Sequence, residues 1–400
     1  MTRIITALAL VLMTVLAWQV VPCKAGHPVQ WKRIQLDPTF RSEGVAAADV
    51  NRDGKVDVLA GDVWYESPDW SMHEIRTVGE YQFDKGYSQS FANFSHDINR
   101  DGWPDFIVIG FPGAPAHWYE NPQGADRHWK EYEIWQEASN ESPNFGDLTG
   151  DGHPELMMGS DSQMGFLTLP AIAKATQKWK FHPVCEPGDS KTNGTFKYYH
   201  GLGHGDLNGD GRNDMLIAHG WFEAPADLAA GQWKFHPYSL TQKPGEDPLR
   251  MANIFTYDLD LDGDQDLVAS CAHSFGIWWF ENLGSENHTQ FKYHLIDESF
   301  SQTHALQLAD VDRDGDLDLI TGKRYFAHNG GDPGGQDAVV MYWIEVDCKK
   351  GHAPKFTLHE IKAGLNTGVG TQFTVHDVNG DDRIDIVLSN KKGVNLLIQE

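Results

Sequence analysis

Seven stretches of this sequence place oxygen-bearing side chains at a fixed odd-numbered spacing: DVNRDGKVD, DINRDGWPD, DLTGDGHPE, DLNGDGRND, DLDLDGDQD, DVDRDGDLD and DVNGDDRID. Positions 1, 3, 5 and 9 are Asp49, Asn51, Asp53 and Asp57 in the first loop, Asp97, Asn99, Asp101 and Asp105 in the second, and Asp147, Thr149, Asp151 and Glu155 in the third. They are Asp206, Asn208, Asp210 and Asp214 in the fourth, Asp258, Asp260, Asp262 and Asp266 in the fifth, Asp310, Asp312, Asp314 and Asp318 in the sixth, and Asp377, Asn379, Asp381 and Asp385 in the seventh. Position 6, where the chain must turn sharply, is glycine in all but the last copy. Hard oxygen donors on a tight turn suit Ca²⁺, with a main-chain carbonyl expected from position 7. The loops hold 26 of the 57 acidic residues, and seven Ca²⁺ ions would move the formal charge from -25 to -11. Up to seven calcium sites are therefore expected. Thr149 and Glu155 weaken the third, Asp382 in place of glycine weakens the seventh, and these two are expected to release metal first on chelation.

The elements around the loops are short apolar and aromatic runs with turn residues between them, which read as strands. The runs before and after each loop (VDVLAG, PDFIVIG, NDMLIAHG and LDLITG among the latter) form an antiparallel pair joined by the acidic turn. A third strand follows in VWYE, HWYEN, GWFEA, IWWFEN and MYWIE, and a fourth in runs such as WKFHPV, FKYHLID and FTLHEIK. Four strands per unit of about 50 residues is the pattern of a β-propeller blade. The expected fold is all-β, a seven-bladed β-propeller spanning residues 26–400 with four-stranded blades. The chain ends after a third strand, VNLLIQE, so the strand at residues 31–37, WKRIQLD, is expected to close the last blade and leave no open edge. The histidines of the fourth strands, His182, His236, His294 and His359, read as surface residues.

An EF-hand requires a bidentate Glu at position 12, which here is Ala60, Val108, Met158, Ile217, Ala269, Thr321 or Leu388. The same test disfavours a dockerin-type loop. With its acid at position 9, the repeat resembles the FG-GAP or VCBS family, as in the calcium-binding propeller of integrin α chains, over essentially the whole chain after residue 25. Two local motifs, GKRYFAHNGGDPGG and FPGAPAHWYENP, depart from a plain repeat and resemble sugar dehydratase or lyase propellers such as that of aldos-2-ulose dehydratase. That similarity implies a carbon–oxygen lyase without assigning any catalytic residue.

If the loops crowd one rim, the opposite rim is where first strands begin and second strands end. Antiparallel pairing places Glu43 near Asp62, Glu141 near Ser160, His200 near His219 and His304 near Lys323 there. His200 and His204 in HGLGH are four residues apart, about 13 Å along a strand, too far for one ion. His200 with His219 is the expected pair for Zn²⁺ or another divalent metal, with His273 or His304 as a third ligand. The longest insert, KRYFAHNGGDPGGQDAVVMYW, brings Lys323, Arg324, Tyr325 and His328 over the mouth. Glu43, Asp62, Glu141, His273 and His328 are the ligand-binding candidates. For catalysis by proton abstraction, His200 or His304 is the base, Lys323 and Arg324 the cations, and Tyr325 or His219 the acid.

The first 25 residues read as an export signal, with Arg3, an apolar run from Ile4 to Val21, and cleavage expected after Ala25. Pro22 disfavours lipid attachment at Cys23. No later apolar stretch reaches the ~20 residues needed to span a bilayer, and the acidity disfavours nucleic acid. Cys185, Cys271 and Cys348 are irregularly spaced and describe neither a disulfide framework nor a zinc site. The expected activity is carbohydrate binding at the polar rim. A lyase or dehydratase at the same pocket and a protein-interaction scaffold are the alternatives.

Overall fold

The computed structural model describes residues 28–228, 232–243, 245–284 and 290–400. The expected signal peptide, with Cys23 and Ala25, lies outside them. The chain is an all-β propeller, and among the described residues the only helical turns are three short 3₁₀ segments. No helix among them is long and apolar enough to cross a membrane.

The first acidic loop joins Ala46–Ala48 to Asp57–Ala60, and Val63–Glu66 and Ser71–Glu74 complete that sheet. The next two four-stranded sheets begin at Ala92–His96 and Ser139–Gly146, and two more begin at Leu306–Ala309 and Thr374–His376. In the last, Trp31–Asp37 pairs antiparallel with Gly393–Gln399, from Trp31 opposite Gln399 to Ile34 opposite Leu396, so the N-terminal strand closes the ring as the sequence implies.

Between the third and sixth loops the chain departs from a row of separate sheets. The fourth and fifth units form one eight-stranded sheet, because Leu202–Gly205 pairs in parallel with Met251–Tyr257 at Leu202 and Asn253. Glycine explains the fusion. A Cβ at Gly203 would stand 1.9 Å from the Ile254 carbonyl oxygen, and one at Gly205 2.1 Å from Thr256 Oγ1. Without side chains at these two positions the inner strands come close enough to hydrogen-bond.

The ninth residue of each acidic loop ties its unit together. Asp105 accepts from Ile98 N at 3.0 Å and Asn121 N at 2.9 Å, linking the loop to the end of the third strand. The same pair of bonds recurs at Asp57, Asp214, Asp266, Asp318 and Asp385. Glu155, longer by one methylene, instead accepts from Leu148 N and Thr149 N. Burial pushes these carboxyls up, to about 6 at Asp57 and about 8 at Asp318, and the two backbone amides oppose that rise. Any ion bound in these loops would share this residue with two backbone amides.

The core lies between neighbouring sheets. Val58, Val63 and Tyr65 of the first sheet pack with Ile386, Leu396 and Leu397 of the last, while Ile107 and Trp118 of the second meet Leu156 and Leu167 of the third. The fourth-strand histidines are not free surface groups. His236 stacks on Trp221 with ring centroids 4.2 Å apart and bonds Glu223 at 2.6 Å. His73, His294 and His359 repeat this tryptophan–histidine–glutamate arrangement, and His182 stacks on Phe166. The arrangement pins each outer strand to the third strand.

Candidate metal and ligand site

Four successive units each send one side chain to the end of the inner strands remote from the acidic loops. Glu141 sits where the register between Ser139–Gly146 and Glu155–Ser160 shifts, and its backbone N–H donates to the Tyr199 carbonyl of the next unit at 2.8 Å. His200 follows directly in sequence, two residues before Leu202–Gly205. His273 lies two residues past Asp266–Cys271. His304 is set beside it because Thr303 Oγ1 donates to the Cys271 carbonyl at 3.0 Å.

Glu141, His200, His273 and His304 form one cluster whose ligand atoms all lie within 4.8 Å of one another. His200 Nε2 is 2.9 Å from His273 Nε2, 3.2 Å from His304 Nε2 and 3.2 Å from Glu141 Oε2, and His304 Nε2 is 3.5 Å from the same carboxylate oxygen. Protonation can be read from the far side of two rings. His200 Nδ1 lies 3.0 Å from the Tyr198 carbonyl and His273 Nδ1 3.2 Å from Asp332 Oδ2, both acceptors, so a hydrogen belongs on each Nδ1 and each Nε2 is the atom that turns a lone pair to a metal. Two lone pairs 2.9 Å apart repel unless a cation lies between them. One proton relieves one such contact, whereas a divalent ion relieves all four.

Protonation of the cluster is opposed. Burial, followed by the charges of His304 and His200, pushes the His273 pKa far below its ordinary value, and burial and the Arg324 charge bring His304 down to about 3. Burial alone would raise Glu141, but the His200 and His304 imidazoles beside it hold its carboxyl well below the usual range. Bond lengths of 2.0–2.1 Å to a tetrahedral Zn²⁺ would separate ligand atoms by about 3.3 Å, close to the spacing here. The donor set fits a transition ion, since imidazole suits Zn, Cu, Fe and Ni.

The cluster opens into a cavity of about 800 Å³. One wall is aromatic: Tyr87, Phe91, Phe111, Tyr198 and Phe196 run in sequence with ring centroids 5.2–5.9 Å apart, and Phe196 and Tyr198 are each 38% exposed. Arg324 and His328 line it from the long insert.

Several expected neighbours do not meet. His219 does not pair with His200; its Nδ1 accepts from the Tyr199 hydroxyl at 2.6 Å, at the cavity wall. Asp62 is held by Arg76 Nε at 2.6 Å and Gly79 N, whereas Glu43 faces Arg324, with Oε2 3.6 Å from Nη2. Ser160 bonds Trp135 rather than Glu141, because the shifted register carries Glu141 inward. Lys323 is buried, with no hydrogen-bond partner for Nζ. Tyr325 packs on Phe83 and Phe326 beneath Lys392, away from the four converging groups. His328 stacks on His273 and shares Asp332 with it. The sequence reading missed Asp332, Tyr87 and Lys391. The polar GGDPGG turn was a signal for the first.

Against known families, residues 97–158 and 258–321 match the FG-GAP-like repeat profile. The chain carries FG-GAP-like repeats. No curated protein sequence matches it significantly. Among solved structures, similar chains include an Agrocybe aegerita lectin described for specific recognition of non-reducing terminal N-acetylglucosamine, 15% identical, with a TM-score of 0.47 and coverage of 83% of this chain and 81% of that one. Another is a Photorhabdus luminescens Tc holotoxin pore, 16% identical, TM-score 0.41, covering 92% of this chain and 15% of that one.

Proposed function

We propose that this chain is an exported seven-bladed propeller, with the eight-stranded sheet counting as two blades, stiffened by Ca²⁺ in its acidic loops and binding a carbohydrate-type ligand at a metal centre on the opposite rim. The observation that carries this reading is the convergence of three imidazole Nε2 atoms and one carboxylate at the floor of the aromatic cavity. His200, His273, His304 and Glu141 would hold a divalent transition ion. Such an ion supplies Lewis acidity toward a hydroxyl or carbonyl oxygen of the ligand. Exposed Tyr198 and Phe196 offer faces for the apolar side of a sugar ring, while Tyr199 and His219 offer polar contacts at the wall.

A second reading, a carbon–oxygen lyase, is favoured by the Tyr199–His219 pair. Burial lowers the His219 pKa, so its ring stays neutral and able to take a proton through the tyrosine hydroxyl. Among the loops, the fifth and sixth are the strongest calcium candidates, since their carboxylates converge and Asp310 Oδ1 is buried without a partner.

The test is metal analysis after purification with EGTA, followed by zinc titration of the wild type and His304→Gln. About one tightly held transition ion per chain, lost in the variant, is the expected result; a wild type that takes up none refutes the centre. Incubating the loaded protein with uronate polymers and following the absorbance of an unsaturated product separates lyase from binding protein.

A further inference from the structure

Arg324 lines the same cavity as the cluster, and its side chain is 2% exposed. Its backbone is fixed on both sides, N–H to the Gln302 carbonyl at 2.9 Å and a parallel bridge to Val369, so the side chain leaves from a rigid base. Nε and Nη2 have no hydrogen-bond partner; Nη2 forms an ion pair with Glu43 Oε2 at 3.6 Å, a separation too long for a hydrogen bond. These two atoms form one edge of the guanidinium fork, with two parallel N–H bonds pointing the same way. Buried donors left unmade are costly, and a planar two-oxygen anion fills such an edge.

The charges around Arg324 leave room for that anion. Arg324 and Lys391 both stand over the Tyr87 ring, at 5.3 and 4.3 Å from its centroid. Glu43 is the acid facing Arg324. We propose that the open edge of Arg324 is a carboxylate subsite, so that the ligand of this cavity is an acidic sugar, a uronate, held by its carboxylate at Arg324 and by ring oxygens toward the histidine cluster. This rests on the metal-site reading above and adds the ligand's charge class to it.

The experiment is calorimetric titration of zinc-loaded protein with D-glucuronate and D-glucose, with bound zinc measured on the same samples. Glucuronate should bind at least about tenfold more tightly than glucose, the range expected of a paired, charge-assisted contact. Arg324→Lys keeps the charge but removes the fork, and should reduce that preference about tenfold. Arg324→Gln combined with Glu43→Gln removes both buried charges together and should abolish the preference while the protein remains folded. Zinc retained with equal affinities, with no binding of either sugar, or with an undiminished preference in Arg324→Lys overturns the carboxylate subsite and leaves the metal centre standing. Failure to retain zinc overturns the reading on which the subsite rests.

Discussion

Asp332 offers the cleanest perturbation of the proposed centre, because it acts on a ligand without being one. Its carboxylate accepts from His273 Nδ1 at 3.2 Å and from His328 Nδ1 at 3.0 Å, which fixes the His273 tautomer so that Nε2 faces the other three groups. Asp332→Asn keeps an acceptor oxygen but removes the charge that makes the imidazole a better donor to metal. Partners of this kind contribute 10–100-fold to metal affinity. The bond is long and shared with a second histidine, which places the effect at the lower end, about tenfold, or about 1.4 kcal/mol. At free zinc 100 times the parental Kd, the wild type gains about 2.7 kcal/mol of stability and the variant about 1.4. Urea unfolding with and without zinc should show this gap, and competition against a chromophoric chelator should give the tenfold ratio directly. The metal-free forms should unfold within about 1 kcal/mol of each other, since Asn keeps an acceptor oxygen for a histidine that Asp332 bonds. Equal zinc affinity in the two proteins would refute the argument from the tautomer.

Asp382 holds the sixth position of the seventh loop at φ 64°, a left-handed conformation that glycine adopts without strain. Its backbone N–H, which donates to Asp377 Oδ2 at 2.8 Å, is kept on substitution, so Asp382→Gly should raise the unfolding free energy by about 0.5–1 kcal/mol, read as a higher urea midpoint; a fall would contradict the strain assignment. At the outer edge of the fourth unit, the His236 hydrogen bond lowers the Glu223 pKa from its ordinary 4.5, although burial opposes the shift. A lowered carboxyl pKa stabilises the fold above the ordinary value, and this stability disappears as pH falls through the folded one. Glu223→Gln should therefore flatten the stability profile below about pH 4.5 and cost about 1 kcal/mol near neutrality, read from denaturation midpoints across pH 3–7.

The acidic nonapeptides and their flanking strands were legible because both repeat, and because alternation of side chains fixes which residues face a neighbouring sheet. Ring closure by residues 31–37 was legible for the same reason. The fusion of the fourth and fifth units was not, since it depends on an approach between strands that glycine permits without requiring. All four members of the cluster, Glu141, His200, His273 and His304, stood out individually, but their grouping did not. Register arithmetic pairs residues within one unit and so joined His200 to His219, whereas the contacts that matter cross from unit to unit around the axis. The shift that turns Glu141 inward lies in an irregular stretch that no alternation predicts. Arg324 was visible as a basic residue at the mouth, but which of its guanidinium nitrogens go unpaired depends on the placement of the side chains around it in the folded chain.

The four converging side chains span residues 141 to 304, one from each of four successive units. During synthesis, a ribosome that has made the first three units has supplied one of the four donors, and the set is complete only when the start of the sixth unit has emerged. A product truncated before His304 would therefore lack one of the four donors of the proposed centre, however much of the propeller it had already formed.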